Sequence, residues 1–211
     1  MIVAVDGPAA AGKGELTRRI ARHFNLARLD TGLLYRAVGW SLLQQKADPG
    51  NEAAAVAAAK ALKLADLDAP DLRSEAAGAA ASKVAVIPAV RTQLIDFQRD
   101  FAKNPPGGAA GAVLDGRDIG TVICPDADAK LFLTARAEIR AERRLKELQA
   151  KGTEAIGSAV LRDMMERDAR DAQRSVAPLE PAKDAFVLDT SDMDADAVFA
   201  AAVAFISRKV A

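Results

Sequence analysis

The sequence predicts an α/β fold in which helices cover a parallel sheet. Short apolar segments recur along the chain, and each is followed by polar turn residues and a helix-like stretch. The first of them leads through a glycine-rich turn into a helix, which is the order that opens a βα unit. The chain has 211 residues, enough for one domain with a substantial core, so we expect a single domain over residues 1–211.

Four of the apolar segments are predicted as strands. The first covers residues 2–5 and lacks polar alternation, which is typical of a strand buried on both faces. The other three lie around residues 112–114, 130–133 and 185–188. Gly7 and Pro8 force a turn after the first strand, and the following pattern predicts a helix from Lys13 to Phe24.

Two stretches interrupt this alternation. Residues 48–82 begin with Asp-Pro-Gly and continue with Ala-rich helical sequence, so we expect a small inserted subdomain there. Residues 151–178 contain a charged helical pattern with few large apolar residues, and the pattern stops before two prolines. That composition suggests a lid that moves over a bound ligand.

The composition excludes several classes of protein. Lys plus Arg and Asp plus Glu number 29 each, so no basic surplus favours nucleic acid or an anionic membrane. One cysteine, Cys124, and one histidine, His23, cannot form a disulfide or a thiol and imidazole zinc cage. The first residues do not resemble a signal peptide, and the apolar run at 197–206 is shorter than the ~20 residues of a membrane span. We therefore expect a cytoplasmic protein with no nucleic-acid or membrane partner.

The glycine-rich turn matches the first seven positions of a phosphate-binding loop. It follows a strand and precedes a helix, as the mechanism requires: backbone N–H groups and the helix N-terminus surround a phosphate, and Lys13 reaches its oxygens. A tight turn without a ligand is the alternative. The predicted ATP-binding residues are Gly7, Pro8, Ala9, Ala10, Ala11, Gly12, Lys13, Gly14 and Glu15.

Glu15 departs from the expected pattern. The strict motif has Ser or Thr after the lysine, whereas this chain has Gly14 and then Glu15. Gly-Lys-Gly resembles the variant of nucleoside monophosphate kinases, which usually continue with Thr. A carboxylate ~5 Å from phosphate oxygens would cost about 3 kcal/mol at an effective dielectric constant of 20. The alternatives are a carboxylate that points away, favoured by the helix dipole, or one that faces magnesium.

Four further strings follow the loop in a specific order. They are Asp30-Thr31-Gly32-Leu33-Leu34-Tyr35-Arg36, the segment from Ser82 to Arg91, Asp115-Gly116-Arg117-Asp118-Ile119-Gly120-Thr121, and Glu166-Arg167-Asp168-Ala169-Arg170-Asp171 with Arg174. Together with the loop they resemble bacterial cytidylate kinases, of the P-loop nucleoside monophosphate kinase family, over nearly the whole chain. The resemblance implies a parallel five-stranded sheet flanked by helices, a monophosphate-binding insert at about 48–82 and a lid at about 151–178.

The spacing of the charged residues agrees with this resemblance. Arg167, Asp171 and Arg174 are spaced i, i+4, i+7 and share one helix face, where they can converge on a ligand. The alternative is a solvated helix with intrahelical ion pairs, which we expect for Asp168 or Arg170 taken alone. Arg117 follows a predicted strand, so it emerges at the carboxyl edge of the sheet, where α/β proteins bind ligands, although a surface Arg–Asp pair would also explain it.

The resemblance also implies roles for individual residues. Arg36 and Arg117 would grip the acceptor phosphate, and Ser82, Arg167 and Asp171 would meet the ribose. Thr31, Arg91, Asp118 and Arg174 would surround the base, where a carboxylate that accepts from N4 and an arginine that donates to N3 and O2 select cytosine. Thr31 could instead be a helix N-cap, and Tyr35, also included in the CMP site, a core residue. The expected catalytic residues are Lys13, Arg117, Arg167 and Arg174.

The implied reaction is transfer of the γ-phosphoryl group of ATP to CMP or dCMP by a monomeric enzyme. Catalysis then comes from in-line positioning and charge neutralisation, with Mg²⁺ held mainly through ATP phosphates and water and no protein metal ligand. Two alternatives stay open: a kinase for another small acceptor, and a nucleotide-binding regulatory protein without turnover. His23 and Cys124 are expected to be bystanders.

Overall fold

The computed structural model describes residues 1–150, 152–173 and 177–210. Its five strands form one sheet with the order β2-β3-β1-β4-β5. They are β1 (Ile2–Asp6), β2 (Ala27–Asp30), β3 (Ala112–Gly116), β4 (Ala129–Thr134) and β5 (Phe186–Asp189). β1 pairs in parallel with β3 and with β4, and β4 pairs in parallel with β5. The predicted parallel α/β fold is confirmed.

Helices connect the strands and account for most of the remaining chain. They are α1 (Lys13–Phe24), α2 (Thr31–Gln44), α3 (Glu52–Ala61), α4 (Glu75–Val84), α5 (Pro88–Lys103), α6 (Ala137–Ala150), α7 (Gly157–Ala172) and α8 (Ala195–Val210). Short 3₁₀ turns lie at Leu64–Asp68, Pro70–Arg73 and Pro106–Gly108, and a π-helical turn covers Ile119–Ile123. The predicted bounds of the first helix are confirmed. Within the described ranges, no helix combines the length and hydropathy that a membrane crossing requires.

The chain divides into two compact units. Unit 1 comprises residues 1–28 and 102–211, and unit 2 comprises residues 29–101. The core of unit 1 forms where α1 and α8 pack on the sheet, with Val3, Ile20, Leu131, Leu133 and Ile206 almost completely buried. Burying large aliphatic side chains contributes about 1.5–3 kcal/mol each, so this layer holds the strand ends, and the loops that follow them, in fixed positions.

Unit 2 is helical around a close contact between α2 and α4. Gly39 of α2 lies against Ala80 of α4, and a Cβ atom at Gly39 would stand 2.8 Å from the Cβ of Ala80. Only a residue without a side chain allows the two helices this approach. The segment 48–82, expected to be an insert, lies within unit 2 and contains α3, two 3₁₀ turns and most of α4.

Candidate active site

The glycine-rich turn joins β1 to α1 in a conformation that only glycine supports at its first position. Gly7 has φ 142°, and a Cβ atom there would overlap the carbonyl oxygen of Leu133 in β4. Gly12 is the N-cap of α1 in the left-handed conformation and makes no side-chain capping bond. The first N–H groups of α1 are therefore available to an anion, and the helix dipole favours negative charge at the same place.

Lys13 is the centre of charge in this loop. Its Nζ atom donates to the carbonyl oxygens of Gly7 and Pro8, both at 2.8 Å, and the residue is 7% exposed. Burial, reinforced by the nearby cations Arg117 and Arg167, lowers the pKa of Lys13 to about 7, while Asp115 and Asp6 act in the opposite direction. Lys13 thus lies close to Arg117 and Arg167, and its hydrogen bonds to Gly7 and Pro8 hold the two ends of the glycine-rich loop together.

Asp6, at the end of β1, connects the loop to the π-helical turn. Its carboxylate accepts the backbone N–H groups of Ile119 at 2.9 Å and Gly120 at 2.8 Å. Burial raises the pKa of Asp6 to about 6, although the two N–H donors and Lys13 favour the charged form. Because Arg117 and Asp118 directly precede this turn, Asp6 fixes the backbone that carries them.

A second carboxylate, Asp115 near the end of β3, belongs to a hydrogen-bonded triad below the loop. Its Oδ2 accepts from Thr17 Oγ1 and from Arg28 Nη2, both at 3.0 Å, and Arg28 Nε donates to Thr17 Oγ1 at 2.8 Å. Sequence reasoning missed Asp6, Thr17, Arg28 and Asp115 as contributors to the site. A signal was present, because Asp6 and Asp115 both lie at carboxyl ends of neighbouring parallel strands, the edge at which such folds bind ligands.

The α7 helix brings predicted residues to Arg117. Arg117 Nε donates to Asp171 Oδ2 at 2.9 Å, and Asp171 is 3% exposed. Arg167, one turn earlier, is exposed and close enough to lower the pKa of Lys13. Arg174 lies outside the described residues. Lys13, Arg117, Arg167 and Asp171 are therefore brought together within unit 1.

The expectation that Asp168 is solvated is wrong. Its Oδ2 pairs with Nη1 of Arg140 in α6 at 2.6 Å, and Arg140 is itself buried. The helical spacing around Asp168 offered intrahelical partners, whereas the actual partner is on another helix.

Unit 2 contains Thr31, Tyr35 and Arg91 of the predicted CMP site. Thr31 is the first residue of α2 and is buried, and the N-cap is Asp30, so the N-cap alternative for Thr31 is wrong. Tyr35 is only partly buried, and the guanidinium carbon of Arg91 lies 6.0 Å from its ring centroid. That distance is at the outer limit of a cation–π contact.

Arg36 and Ser82 both lie near Gly78 of α4 in unit 2. Arg36 Nη1 donates to the carbonyl oxygens of Leu72 at 2.8 Å and Ser74 at 3.0 Å. Ser82, exposed on α4, donates to the carbonyl oxygen of Gly78, whose Cα position faces the Arg36 guanidinium. The Arg36 side chain is thus held in place by backbone acceptors beside α4.

The structure favours one of the alternatives for Glu15. Its carboxylate pairs with Arg18 at 2.5 Å, both side chains are about half exposed, and this hydrogen bond holds the pKa of Glu15 below its ordinary value. Glu15 therefore points along α1 towards Arg18. It also lines a cavity of about 210 Å³ beside Gly12, whose other walls include Leu16, Arg143 and Met193.

The carboxylates near Lys13 do not form a metal cage. Among the described residues, no three His, Cys, Asp or Glu side chains are arranged around one point to hold a metal ion. Asp6 is engaged by two N–H groups, and Asp115 by a hydroxyl and a guanidinium. Because both carboxylates are already engaged by hydrogen-bond donors, the site fits an ion that is held by phosphate oxygens and water. The two carboxylates add negative charge near such an ion.

His23 and Cys124 lie apart from these contacts. His23 is exposed late on α1 and packs edge-on against Phe24 and Phe199. Cys124 is buried at the end of the π-helical turn. That both are bystanders stays a prediction.

A family model and two relatives indicate one family. The family model described as cytidylate kinase matches residues 3–208. The chain is 62% identical over 208 residues to the cytidylate kinase of Paramagnetospirillum magneticum, covering 99% of this chain and 98% of that protein. It is 56% identical over 209 residues to the cytidylate kinase of Rhodospirillum rubrum, with the same coverage. A solved structure of an uncharacterized protein from Eubacterium ventriosum has a TM-score of 0.59 at 13% identity, covering 98% of both chains, and shares the fold.

Proposed function

The chain belongs to the cytidylate kinase family, and on that premise we propose that it transfers the γ-phosphoryl group of ATP to CMP or dCMP, giving ADP and CDP or dCDP. The observation that carries the proposal is the cluster of Lys13, Arg117 and Arg167 at the glycine-rich loop, where positive charge and a helix N-terminus face the same space. Such a cluster is suited to stabilise the negative charge of a phosphoryl group during its transfer.

Residues 7–15 bind ATP, and the backbone N–H groups of the loop and Lys13 hold the donor phosphates. Lys13 exchanges its two carbonyl acceptors for phosphate oxygens, which form stronger, charge-assisted hydrogen bonds. The 210 Å³ cavity beside Gly12 receives the donor base, since Leu16, Met193 and Val198 provide apolar walls for a flat heterocycle next to the phosphate loop.

Charged and polar side chains hold the acceptor nucleotide. Arg36 and Arg117 bind its phosphate, and Arg36 retains donors beyond the Nη1 group that its backbone acceptors engage. Ser82, Arg167 and Asp171 contact the ribose. Thr31, Tyr35, Arg91, Asp118 and Arg174 surround the base. Uracil carries an acceptor where cytosine carries its N4 donor, so a carboxylate there disfavours UMP by ~1–3 kcal/mol.

Catalysis consists of positioning and charge neutralisation, and no general base is required. Lys13, Arg117, Arg167 and Arg174 neutralise charge on the phosphoryl group as it moves. Magnesium would be held through ATP phosphates and water, and it would supply further charge neutralisation. Residues 151–178 act as the lid that excludes water, and residues 48–82 as the insert that closes over the monophosphate. The enzyme works as a monomer in the cytoplasm.

The experiment that tests the proposal is a coupled assay of ADP release with ATP and magnesium. CMP, dCMP, UMP and AMP are supplied at equal concentrations, and we expect the highest turnover with CMP and dCMP. Lys13→Met should abolish turnover with every acceptor, whereas Lys146→Ala, on the exposed face of α6, should not alter it. Highest turnover with AMP or UMP would indicate a kinase for another acceptor. ATP binding without any turnover would indicate a regulatory nucleotide-binding protein.

A further inference from the structure

Arg140 of α6 connects three segments of unit 1 through one buried guanidinium. It is 7% exposed, and Nε donates to the carbonyl oxygen of Ala135, just before α6. Nη1 pairs with Asp168 of α7 at 2.6 Å and also lies 3.4 Å from the carbonyl oxygen of Ala9, in the glycine-rich loop. A single cation therefore contacts the loop, the start of α6 and the lid helix α7.

Apolar packing connects the same segments. Ala141 and Leu148 of α6 form a buried cluster with Val160 and Met164 of α7, and Ala10 of the loop packs against this cluster. Ala10 has φ 58°, a left-handed conformation that L-residues adopt at a cost in free energy. The contact of its methyl group with the α6–α7 cluster offsets part of that cost.

The buried face of α7 continues from this cluster to the reacting groups. Val160, Met164, Asp168 and Asp171 follow spacings of four, four and three residues and share one face of the helix. Asp168 is fixed by Arg140 and Asp171 by Arg117. Two ion pairs at successive turns set both the rotation of α7 and its position along its axis. Asp168 directly follows Arg167 in the sequence, and Asp171 lies one turn after Arg167.

The Arg140–Asp168 pair is suited to fixing geometry. The second oxygen of Asp168, Oδ1, is buried and has no hydrogen-bond partner within the described ranges, so Arg140 supplies the charge compensation of this carboxylate. A buried charge without its partner is strongly unfavourable, and other rotations of α7 that separate the pair are therefore disfavoured.

We propose that Arg140 and Asp168 are positioning residues for phosphoryl transfer, which hold α7 so that Arg167 and Asp171 lie beside Lys13 and Arg117. This inference rests on the proposed function, because the positioned groups are those that we assign to the transfer. Neither residue needs to touch a substrate. Their effect passes through Arg167, because Asp171 is held by its own pair with Arg117.

The test is a double-mutant cycle in the coupled CMP assay. Asp168→Asn preserves the shape of the side chain and removes its charge, and we expect kcat to fall about tenfold or more with the Kd of ATP nearly unchanged. In an Arg167→Ala background the same substitution should have little further effect on kcat, because the group that it positions is absent. Arg140→Lys should restore more of the kcat than Arg140→Met.

The matched control is Lys146→Ala, which breaks the exposed Lys146–Glu142 pair on the same α6 helix and should leave kcat within twofold of the wild type. A kcat of Asp168→Asn within twofold of the wild type would overturn the inference, as would a full additional loss in the Arg167→Ala background.

Hydrogen exchange of the α7 amides gives a readout that does not need activity. Asp168→Asn and Arg140→Met should accelerate exchange in residues 157–172, and Lys146→Ala should not. Wild-type protein that fails to turn over CMP would refute the proposed function, whereas unchanged exchange in both variants would refute the positioning pair.

Discussion

Around the glycine-rich loop, burial and pairing give each charged residue a distinct task. Lys13 and Asp6 are both buried, and their pKa values move towards neutrality from opposite sides, to about 7 and about 6. Glu15, two residues after Lys13, is half exposed and paired with Arg18. The buried residues Lys13 and Asp6 thus contribute to the charge near the transferred phosphoryl group, and Glu15 modifies this charge from an exposed position.

We expect Glu15→Thr to tighten ATP binding about two- to fivefold, because removing an exposed, paired charge changes binding by only ~0.4–1 kcal/mol. The measurement is the Kd of ATP by isothermal titration calorimetry at low and high salt. Glu15→Gln is the control: it removes the charge and preserves the length, so it should tighten binding by a similar factor. An equal or higher Kd in both variants would contradict the prediction.

Asp6 should impose a pH dependence on stability. Burial raises the pKa of Asp6 from its ordinary value of 3.8 to about 6 in the folded protein, so the folded state binds more protons than the unfolded state between these two pH values. The stability that Asp6 contributes is therefore present below pH 4 and is lost as pH rises to 6 and above, by about 3 kcal/mol. Asp6→Asn should remove this part of the slope in urea denaturation series from pH 4 to 7.

The control for Asp6 is Asp128→Asn. Asp128 accepts the backbone N–H of Ile2 at the opposite end of β1, at an exposed position. This variant should retain the slope of the wild type between pH 4 and 6. A slope in Asp6→Asn that equals that of the wild type would show that Asp6 does not titrate in this range.

Some site residues could be predicted from the sequence and others could not, for a physical reason. Lys13 belongs to a local motif, and Arg117 and Asp171 follow from a strand end and a helical spacing. The Thr17–Asp115 bond joins residues 98 positions apart, and Arg28 meets Asp115 across 87 positions. Nothing in local spacing specifies such partners. The same holds for Asp168, for which nearby charges on its own helix suggested the wrong partners.

At the level of elements, clear boundary signals determined what could be foreseen. The bounds of α1 were predictable because glycines precede it and its apolar face repeats regularly. β2 was not among the segments predicted as strands, since Ala27–Asp30 alternates two charged residues with two apolar ones in only four residues. A short strand of this kind owes its structure to its position in the sheet more than to its own sequence.

The contact between α2 and α4 makes a prediction for unit 2. Gly39→Ala places a methyl group 2.8 Å from the Cβ of Ala80 and should lower the free energy of unfolding by about 1–3 kcal/mol. Urea denaturation at fixed pH measures this change. On the same helix, Gly32→Ala approaches only the side chain of Asp30, at 3.2 Å, so we expect no loss and up to about 1 kcal/mol of gain. Equal stability of the two variants would contradict a tight α2–α4 contact.

At the scale of the whole molecule, zero net charge coexists with a concentrated positive site. The chain carries 29 basic and 29 acidic residues, yet Lys13, Arg117 and Arg167 lie close together in unit 1. Attraction for phosphates therefore comes from local charge at this cluster and not from a net positive charge of the molecule. This distribution agrees with small phosphorylated substrates, and the absence of a nucleic-acid partner stays a prediction.

The state of Lys13 connects substrate binding to the protons of the surrounding solution. With a pKa of about 7, Lys13 is a neutral amine in a fraction of the molecules near neutral pH. A phosphate anion stabilises the ammonium form, so ATP binding should take up a fraction of a proton from the buffer. Calorimetric titrations at pH 7.5 in Tris and in phosphate-free MOPS should then give binding heats that differ with the ionisation enthalpy of the buffer.

In Lys13→Met this difference should disappear, and a wild-type heat that is the same in both buffers would contradict the linkage. The linkage also means that the affinity for ATP rises as the pH falls through 7. The enzyme would respond to acidity at the step of nucleotide capture, through a lysine that becomes fully charged only when its substrate arrives.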